Sequence, residues 1–326
     1  MATMLQLEKL EGVANVQMVE VEIPTPGPAE ILVKVERSLI SRGSEIFRRY
    51  VRQEAIDPVA MGYSDAGTVQ AVGSEVSGFG PGDRVMVSGP HAQYVCRPQG
   101  NCFPLPEELS TATATFLPLA NGALTWSTET PVEPGDTVVV LGQGLVGNMY
   151  AQAVRERDPG HVIVVDATAK RCEIATACGA TTVINAAETD PVADVLEATG
   201  GGGAEVVVEC VGGNAGVVAF TQAQQMTRRM GVLHVISKYT DGDGVAGSGI
   251  VPLDTTIMQS RRVVIGHFAI TSYNDYLGQT AQMLLDRRID VEPLITHRLP
   301  WENTVDAYHL LFNSPDEALG VILEWD

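Results

Sequence analysis

Three glycines and one acid carry the most specific chemistry in this 326-residue chain. The stretch "VVVLGQGLVG" sets Gly142, Gly144 and Gly147 directly after an apolar run and at the start of a helical pattern. A lone GxGxxG is a weak signal. Here a strand precedes it, a helix follows it, and an acid, Asp166, ends the next apolar run 19 residues past Gly147. That context is the dinucleotide-binding fingerprint. Gly142 permits the tight turn, Gly144 lets the backbone approach a pyrophosphate, and Gly147 lets the helix pack on the strand. The helix opens at Leu145 and Val146, and its N-terminal amides face the phosphates. Asp166 is placed to accept from the adenosine ribose hydroxyls. A 2′-phosphate would meet a carboxylate there, so NAD(H) is expected over NADP(H). Lys170 and Arg171 complicate this, because either could pair with a phosphate. Arg171, with Val211 and Gly212 after "AEVVVEC", is counted with the cofactor-binding positions. The competing reading is that the glycines only pack a helix on a strand.

The elements that must hold this fingerprint follow from periodicity. From Asp136 onward, apolar runs ("TVVVLG", "HVIVVD", "TTVINA", "AEVVVECVG", "VLHVIS") alternate with amphipathic segments ("VGNMYAQAVRERD", "KRCEIATACGA", "PVADVLEATG", "FTQAQQMTRRMG"). Continuous apolar strands separated by helices predict a doubly wound parallel sheet, covered on both faces. The first third differs. "MLQLEKLEG", "VQMVEVEIP", "EILVKVERSLI", "AGTVQAVG", "DRVMVSG" and "HAQYVCRPQGN" alternate in period two, with Gly and Pro between them. They predict an irregular antiparallel β domain. "FLPLANGALTWSTE" reads as a helix, as do "YNDYLGQTAQMLLDRR" and "WENTVDAYHLLFN", and "LGVILEW" reads as a closing strand.

Composition bounds the partners. With 40 acidic against 21 basic residues the net charge is −19. Such acidity argues against nucleic acid, whose phosphates need clustered Lys and Arg, and against an anionic membrane surface. The five cysteines, Cys96, Cys102, Cys172, Cys178 and Cys210, contain no CxxC pair, so no zinc ribbon or redox motif can be read. Glu8 and Lys9 fall where a signal peptide needs an apolar core, and no apolar run approaches a membrane span. A cytoplasmic protein acting on a small molecule is the expectation.

Taken together, "GYSDAGTVQAVG", "GFGPGDRV", "PLANGALTW", "VEPGDTVVVLGQGLVG", "EVVVECVGG" and "LITHRLPWENTVDAYHLL" resemble the medium-chain dehydrogenase/reductase superfamily, in order and spacing over almost the whole chain. The resemblance implies a GroES-like catalytic domain over residues 1–119 and 267–326, and a Rossmann NAD-binding domain over 120–266. It also implies a homodimer or homotetramer, dimers often forming by edge pairing of the Rossmann sheets. The departures are informative. Against the zinc alcohol dehydrogenase branch, "RGSE" puts Arg42 at the ligand Cys and Glu45 at the Asp behind it, and Ser44 keeps the hydroxyl of the proton relay. Tyr63 replaces the ligand His, and Leu117 falls on the third ligand position. Catalytic zinc needs about three N, S or O ligands, so no zinc and no other metal is expected. Among zinc-less members the chain is most similar to a subgroup of sugar dehydrogenase and bacteriochlorophyllide dehydrogenase-like proteins, carried by "SLISRGSE" and "GYSDAG".

Without a metal, side chains must move the proton and stabilise the developing oxyanion. Tyr63 is the candidate acid/base, and Arg42 the cation expected to lower its pKa or anchor an anionic substrate group. Ser44 is the candidate relay and Glu45 an orienting group. The plainer alternatives stay open: Tyr63 packed into the vacated metal space, Arg42 paired with Glu45 or Asp65, Ser44 capping a short helix. Asn121 sits where the family contacts the nicotinamide. Lys238 follows the last strand of the parallel series, and His267 lies where the chain re-enters the catalytic domain; both are further candidates. His91 reads as structural. The function expected is interconversion of a secondary alcohol and a ketone on a sugar, cyclitol or polyol. The alternatives are a quinone or enoyl reductase, or a non-catalytic NAD-binding relative.

Overall fold

The computed structural model describes residues 2–213, 215–239, 251–265 and 273–325. The chain forms two compact units, one of residues 1–118, 281–286 and 295–326, the other of residues 119–280 and 287–294. The expected return at residue 267 lies outside the described residues.

The first unit is built on the strand Glu30–Leu39, which pairs antiparallel with Asp65–Val72, Gly320–Glu324 and Tyr94–Pro98. Its alternating Ile31, Val33 and Val35 are buried, as period two requires of a sheet packed on one side. Arg84–Val87 and Cys102–Pro104 extend the sheet on one side, and Ile295–Pro300 on the other, making seven strands. A separate hairpin pairs Thr3–Lys9 with Val16–Glu22. Directly after the central strand, Arg42–Tyr50 winds as a π-helix. That wide turn is uncommon and is frequent at functional sites. Its Ile46 and Tyr50 share one apolar core with Ala307, Tyr308 and Leu311 of the helix Thr304–Asn313.

The second unit holds six parallel strands in the spatial order Thr182–Asn185, His161–Asp166, Thr137–Leu141, Ala204–Glu209, Thr227–Val235 and Arg262–Ile265. In chain order that is 3-2-1-4-5-6, the Rossmann arrangement. Val138, Val139, Val140, Val206, Val207 and Val208 are all buried, so these strands are apolar on both faces. The fold is thus α/β, a Rossmann sheet beside a β-rich unit. No helix among the described residues is long and apolar enough to cross a membrane.

Three local expectations change. The pattern "FTQAQQMTRRMG" reads as one helix, but the helix Ala215–Met226 stops and Thr227–Val235 is already strand. Met230 takes a left-handed φ of 65°, and the register shifts between Ala204 and Val206, so this strand starts irregularly and escapes a periodicity test. The strands Arg262–Ile265 and Ile295–Pro300 are short and at sheet edges, and neither stands out in the sequence. The helix at "RGSE" starts at Arg42 with Ser41 at its N-cap, so Ser44 lies inside it and is not its cap.

Candidate active site

Tyr63 lies just before the strand Asp65–Val72, and its phenol donates to Ser41 Oγ at 2.7 Å. Ser41 is fixed in turn by the first turn of the π-helix: its amide donates to Glu45 Oε1 at 2.8 Å. Glu45 is fully buried. Its other oxygen, Oε2, contacts His91 Nε2 at 2.8 Å and accepts from the Tyr308 hydroxyl. Beyond His91, Nδ1 lies 2.8 Å from Ser38 Oγ, which also accepts from Trp325 Nε1 at 2.9 Å. The Glu45 carboxylate can only accept, so His91 Nε2 donates to it. Burial alone would push the Glu45 carboxyl up, but His91, Tyr308 and the Ser41 amide outweigh it and hold it below its ordinary value.

Asp65 is also fully buried and behaves oppositely. Burial, and then the Glu45 charge, push its carboxyl well above the ordinary range; the Gly89 amide on Oδ2 at 3.2 Å does not compensate. Its Oδ1 has no hydrogen-bond partner among the described residues. One carboxylate thus stays ionised beside one that keeps its proton.

The role expected of Arg42 needs correction. The Tyr63 phenol is raised, not lowered: burial raises it first, the Glu45 charge adds to that, and hydrogen bonds from Ser41 and Ser44 oppose without winning. The cation acting on Tyr63 is Arg49, whose Nη1 is buried without a hydrogen-bond partner among the described residues. The Arg42 guanidinium instead stacks over Phe47, 4.8 Å from its ring centroid. The structure therefore brings Tyr63, Ser44 and Glu45 together and adds Ser41, Arg49, His91 and Tyr308. Ser41, at the N-cap, and Arg49 belong to the same π-helix as Glu45, whereas His91 and Tyr308 are gathered by tertiary packing that spacing could not reveal.

The second unit carries the glycine fingerprint. Gly142 has φ +89°, and a Cβ at Gly147 would lie 1.8 Å from the Gly142 carbonyl, so both positions require glycine. Around Gly144 a Cβ would meet nothing within 4 Å, leaving open space before the helix Leu145–Ala153. Val146 follows Leu145 in its first turn, where free amides favour an anion. Gln143 Oε1, buried beside Gly144, has no hydrogen-bond partner among the described residues. Asp166 ends the neighbouring strand and accepts from the Gln143 amide at 2.6 Å and the Thr168 amide at 2.8 Å. Arg171 Nη1 stands 3.8 Å from Asp166 Oδ2. These groups fit a dinucleotide: a phosphate seat at a helix N-terminus and an anchored acid at the next strand end.

Val211 reaches this turn, its Cγ2 lying 2.8 Å from where a Gly142 Cβ would stand. Gly212 is exposed beside it, and Lys238 is exposed on the next strand-end loop, where its carbonyl accepts from the Gly213 amide at 3.3 Å. Asn121 is fully buried and its Oδ1 accepts from Thr280 at 2.9 Å. His267 lies outside the described residues.

Known proteins resemble this chain over nearly its whole length. Residues 146–284 match the family described as zinc-binding dehydrogenase. These likenesses support the alcohol dehydrogenase-like superfamily. Over 96% of this chain and 97% of its own length, the uncharacterized zinc-type alcohol dehydrogenase-like protein YdjJ of Escherichia coli K12 is 27% identical. The sorbitol dehydrogenase of Bacillus subtilis is 25% identical over 98% of both. An Escherichia coli oxidoreductase/dehydrogenase of unknown specificity shares the fold, with TM-score 0.86, 23% identity and 99% of each chain covered. The named relatives are of dehydrogenase type, which supports an oxidoreductase.

The zinc in that family's description can be tested on the donor set. At the positions that resemblance assigns to the ligands stand a guanidinium (Arg42), a phenol held protonated (Tyr63) and a buried hydrocarbon (Leu117). Among the described residues no group of three or more His, Cys, Asp or Glu could hold a metal ion. This donor set does not fit catalytic zinc.

Proposed function

We propose that this protein is a zinc-independent, NAD(H)-dependent dehydrogenase/reductase interconverting a secondary alcohol and a ketone on a hydroxylated small molecule of sugar, cyclitol or polyol type. The observation that carries the proposal is the Tyr63–Ser41 hydrogen bond where this superfamily's zinc branch has a metal ligand. The B. subtilis relative's name, sorbitol dehydrogenase, supports the substrate class. Asp166, held at its strand end by two amides and already facing Arg171, supports NAD over NADP.

When bound, the nicotinamide supplies or accepts the hydride. The chain's own task is the proton. In the reducing direction the Tyr63 hydroxyl turns from Ser41 to the substrate oxygen and donates its proton there. The Ser41 hydroxyl then donates to the phenolate left behind, and the Arg49 cation stabilises that charge. Ser44, also a hydrogen-bond partner of Tyr63, returns a proton from solvent. Glu45 keeps Ser41 in place through its amide. Arg42 is a further cation of the same helix, and Lys238 and His267 remain candidates for substrate contact.

The sheet edge supports the proposed homodimer. Ile265 on the edge strand Arg262–Ile265 is 73% exposed and Val263 37%. An exposed apolar edge strand invites pairing with its counterpart in a second copy.

The test is a screen for NADH or NADPH consumption and formation with sugars, cyclitols, polyols, quinones and enones. Turnover of a polyol or ketose with NAD(H) is expected. Exclusive turnover of quinones or enones with NADPH would contradict it, and NADH binding with no turnover of any class would favour a non-catalytic relative.

A further inference from the structure

Glu209 is the last residue of the strand Ala204–Glu209, at the C-terminal end of the sheet, the end that carries Gly142 and Asp166. It follows the apolar run Val206–Val208 and is fully buried. Its carboxyl accepts three hydrogen bonds from two different loops. The Val211 amide donates to Oε1 at 2.6 Å. Across the edge, the Tyr239 hydroxyl donates to Oε2 at 2.5 Å and the Ser237 hydroxyl donates to the same oxygen. Its main-chain carbonyl accepts from the amides of Ile236 and Ser237 at 3.0 and 3.2 Å. Tyr239 is wedged in turn, its ring 2.7 Å from where a Gly216 Cβ would lie and edge-on to Phe220. One carboxyl thus ties the loop that starts at Val211 to the loop over 237–239.

Those loops follow adjacent strands at the end of a parallel sheet where dinucleotides bind. Val211 touches the Gly142 turn, and Gly213 joins the Lys238 carbonyl. We propose that Glu209 is a positioning residue for the nicotinamide cofactor, holding the 211–213 and 237–239 loops in the conformation that receives it. This rests on the NAD(H) reading above.

No cation among these partners offsets the Glu209 charge. Its strand neighbours in register are Leu141 and Val235, and Lys238 on the adjoining loop is exposed. Burial pushes the carboxyl up to about 7 despite Ser237, Tyr239 and the Val211 amide. The two other titratable groups, Cys210 and Tyr239, are pushed up by burial first and by Glu209 second, so both stay neutral near neutrality. An ionised carboxylate accepts from all three donors. Once protonated, it carries a proton that must itself be donated, and one loop contact turns away.

The experiment is NADH binding by fluorescence titration from ~pH 6 to ~pH 8, with amide exchange of the peptides spanning 209–213 and 232–239 in the cofactor-free protein. Wild type should bind NADH about tenfold more weakly at the acid end. Glu209→Gln, which brings a donor to face three donors, should bind about tenfold more weakly at the alkaline end, lose the pH dependence, and exchange faster in both peptides. Tyr239→Phe removes a single donor and should give a smaller loss with the pH dependence retained. Glu209→Gln with wild-type affinity at every pH overturns the inference, and so does faster exchange in only one loop. Wild type that binds no NADH overturns the cofactor reading itself, and is recognised because the parent protein fails before any variant is compared.

Discussion

Tyr63 and Ser41 are joined by a 2.7 Å hydrogen bond, the phenol donating to a hydroxyl whose own amide is held by the buried Glu45. The bond gives Tyr63 a defined proton direction and an acceptor that can reverse to become a donor.

Replacing Tyr63 by Phe keeps the ring and removes the proton. The single-turnover rate of hydride transfer, followed by NADH absorbance, should fall by at least about a hundredfold, with NADH affinity unchanged. Ser41→Ala should lower the same rate about tenfold and shift the alkaline limb of its pH profile. Because burial and the Glu45 charge hold Tyr63 protonated, that limb should lie above the ordinary tyrosine range. A Tyr63→Phe rate within a factor of about two of wild type would remove Tyr63 from the chemistry.

The carboxylate beneath them is sensitive to its donors. Tyr308→Phe takes one hydrogen bond from the fully buried Glu45 and should cost about 1–3 kcal/mol in urea unfolding. His91→Phe leaves Glu45 and Ser38 both short of a partner and should cost more than Tyr308→Phe. Equal stability of wild type and both variants would mean that the network is not holding the unit together.

Two buried groups of the Rossmann unit should tilt its stability in opposite directions with pH. His234 is lowered by burial to about 4, with Thr130 Oγ1 at 2.7 Å from its Nδ1. Its neutral form belongs to the fold, so stability is present above ~pH 6.5 and is lost as pH falls through ~4. Glu209 is raised to about 7, so the stability it contributes is present below ~pH 4.3 and is lost as pH rises through ~7. Each shift corresponds to about 3 kcal/mol at full span. The fall of the urea midpoint towards mildly acid pH should therefore flatten in His234→Asn, and its fall towards mildly alkaline pH should flatten in Glu209→Gln. Unaltered pH slopes in both variants would refute the assignment.

Asp166 sets the cofactor preference. Asp166→Ser removes the carboxylate that a 2′-phosphate would meet and leaves Arg171 beside it. The ratio of NADPH to NADH affinity, by fluorescence titration, should rise at least about tenfold. A wild-type preference for NADPH would contradict the role given to this residue.

The Rossmann unit was largely legible because its signals are local. Gly142, Gly144, Gly147 and Asp166 lie within 25 residues, and each strand is a continuous apolar run. The sixth strand, Arg262–Ile265, and the start of Thr227–Val235 were not legible, because a four-residue edge strand and a bulged start carry no period to count. In the β-rich unit the strands were readable from alternation, but the Tyr63 surroundings were not. Ser38, Ser41, Glu45, His91 and Tyr308 come from a strand, a π-helix, a loop and a C-terminal helix, and their pairing is a product of packing. The same distance in sequence explains the error over Arg42, whose position is local but whose effect on Tyr63 depends on burial and on Arg49. Glu209 did leave a trace, as the acid that closes the apolar run "VVV" in "AEVVVE".

The central claim, hydride transfer to NAD(H) driven by side chains without zinc, meets its most direct test in one rate. Protein is dialysed against a strong chelator, its zinc content is measured by atomic spectrometry, and the initial rate of NADH formation is compared with the untreated sample on the best substrate of the screen. Equal rates at negligible zinc are expected. A rate that disappears with the chelator and returns on adding zinc would contradict it.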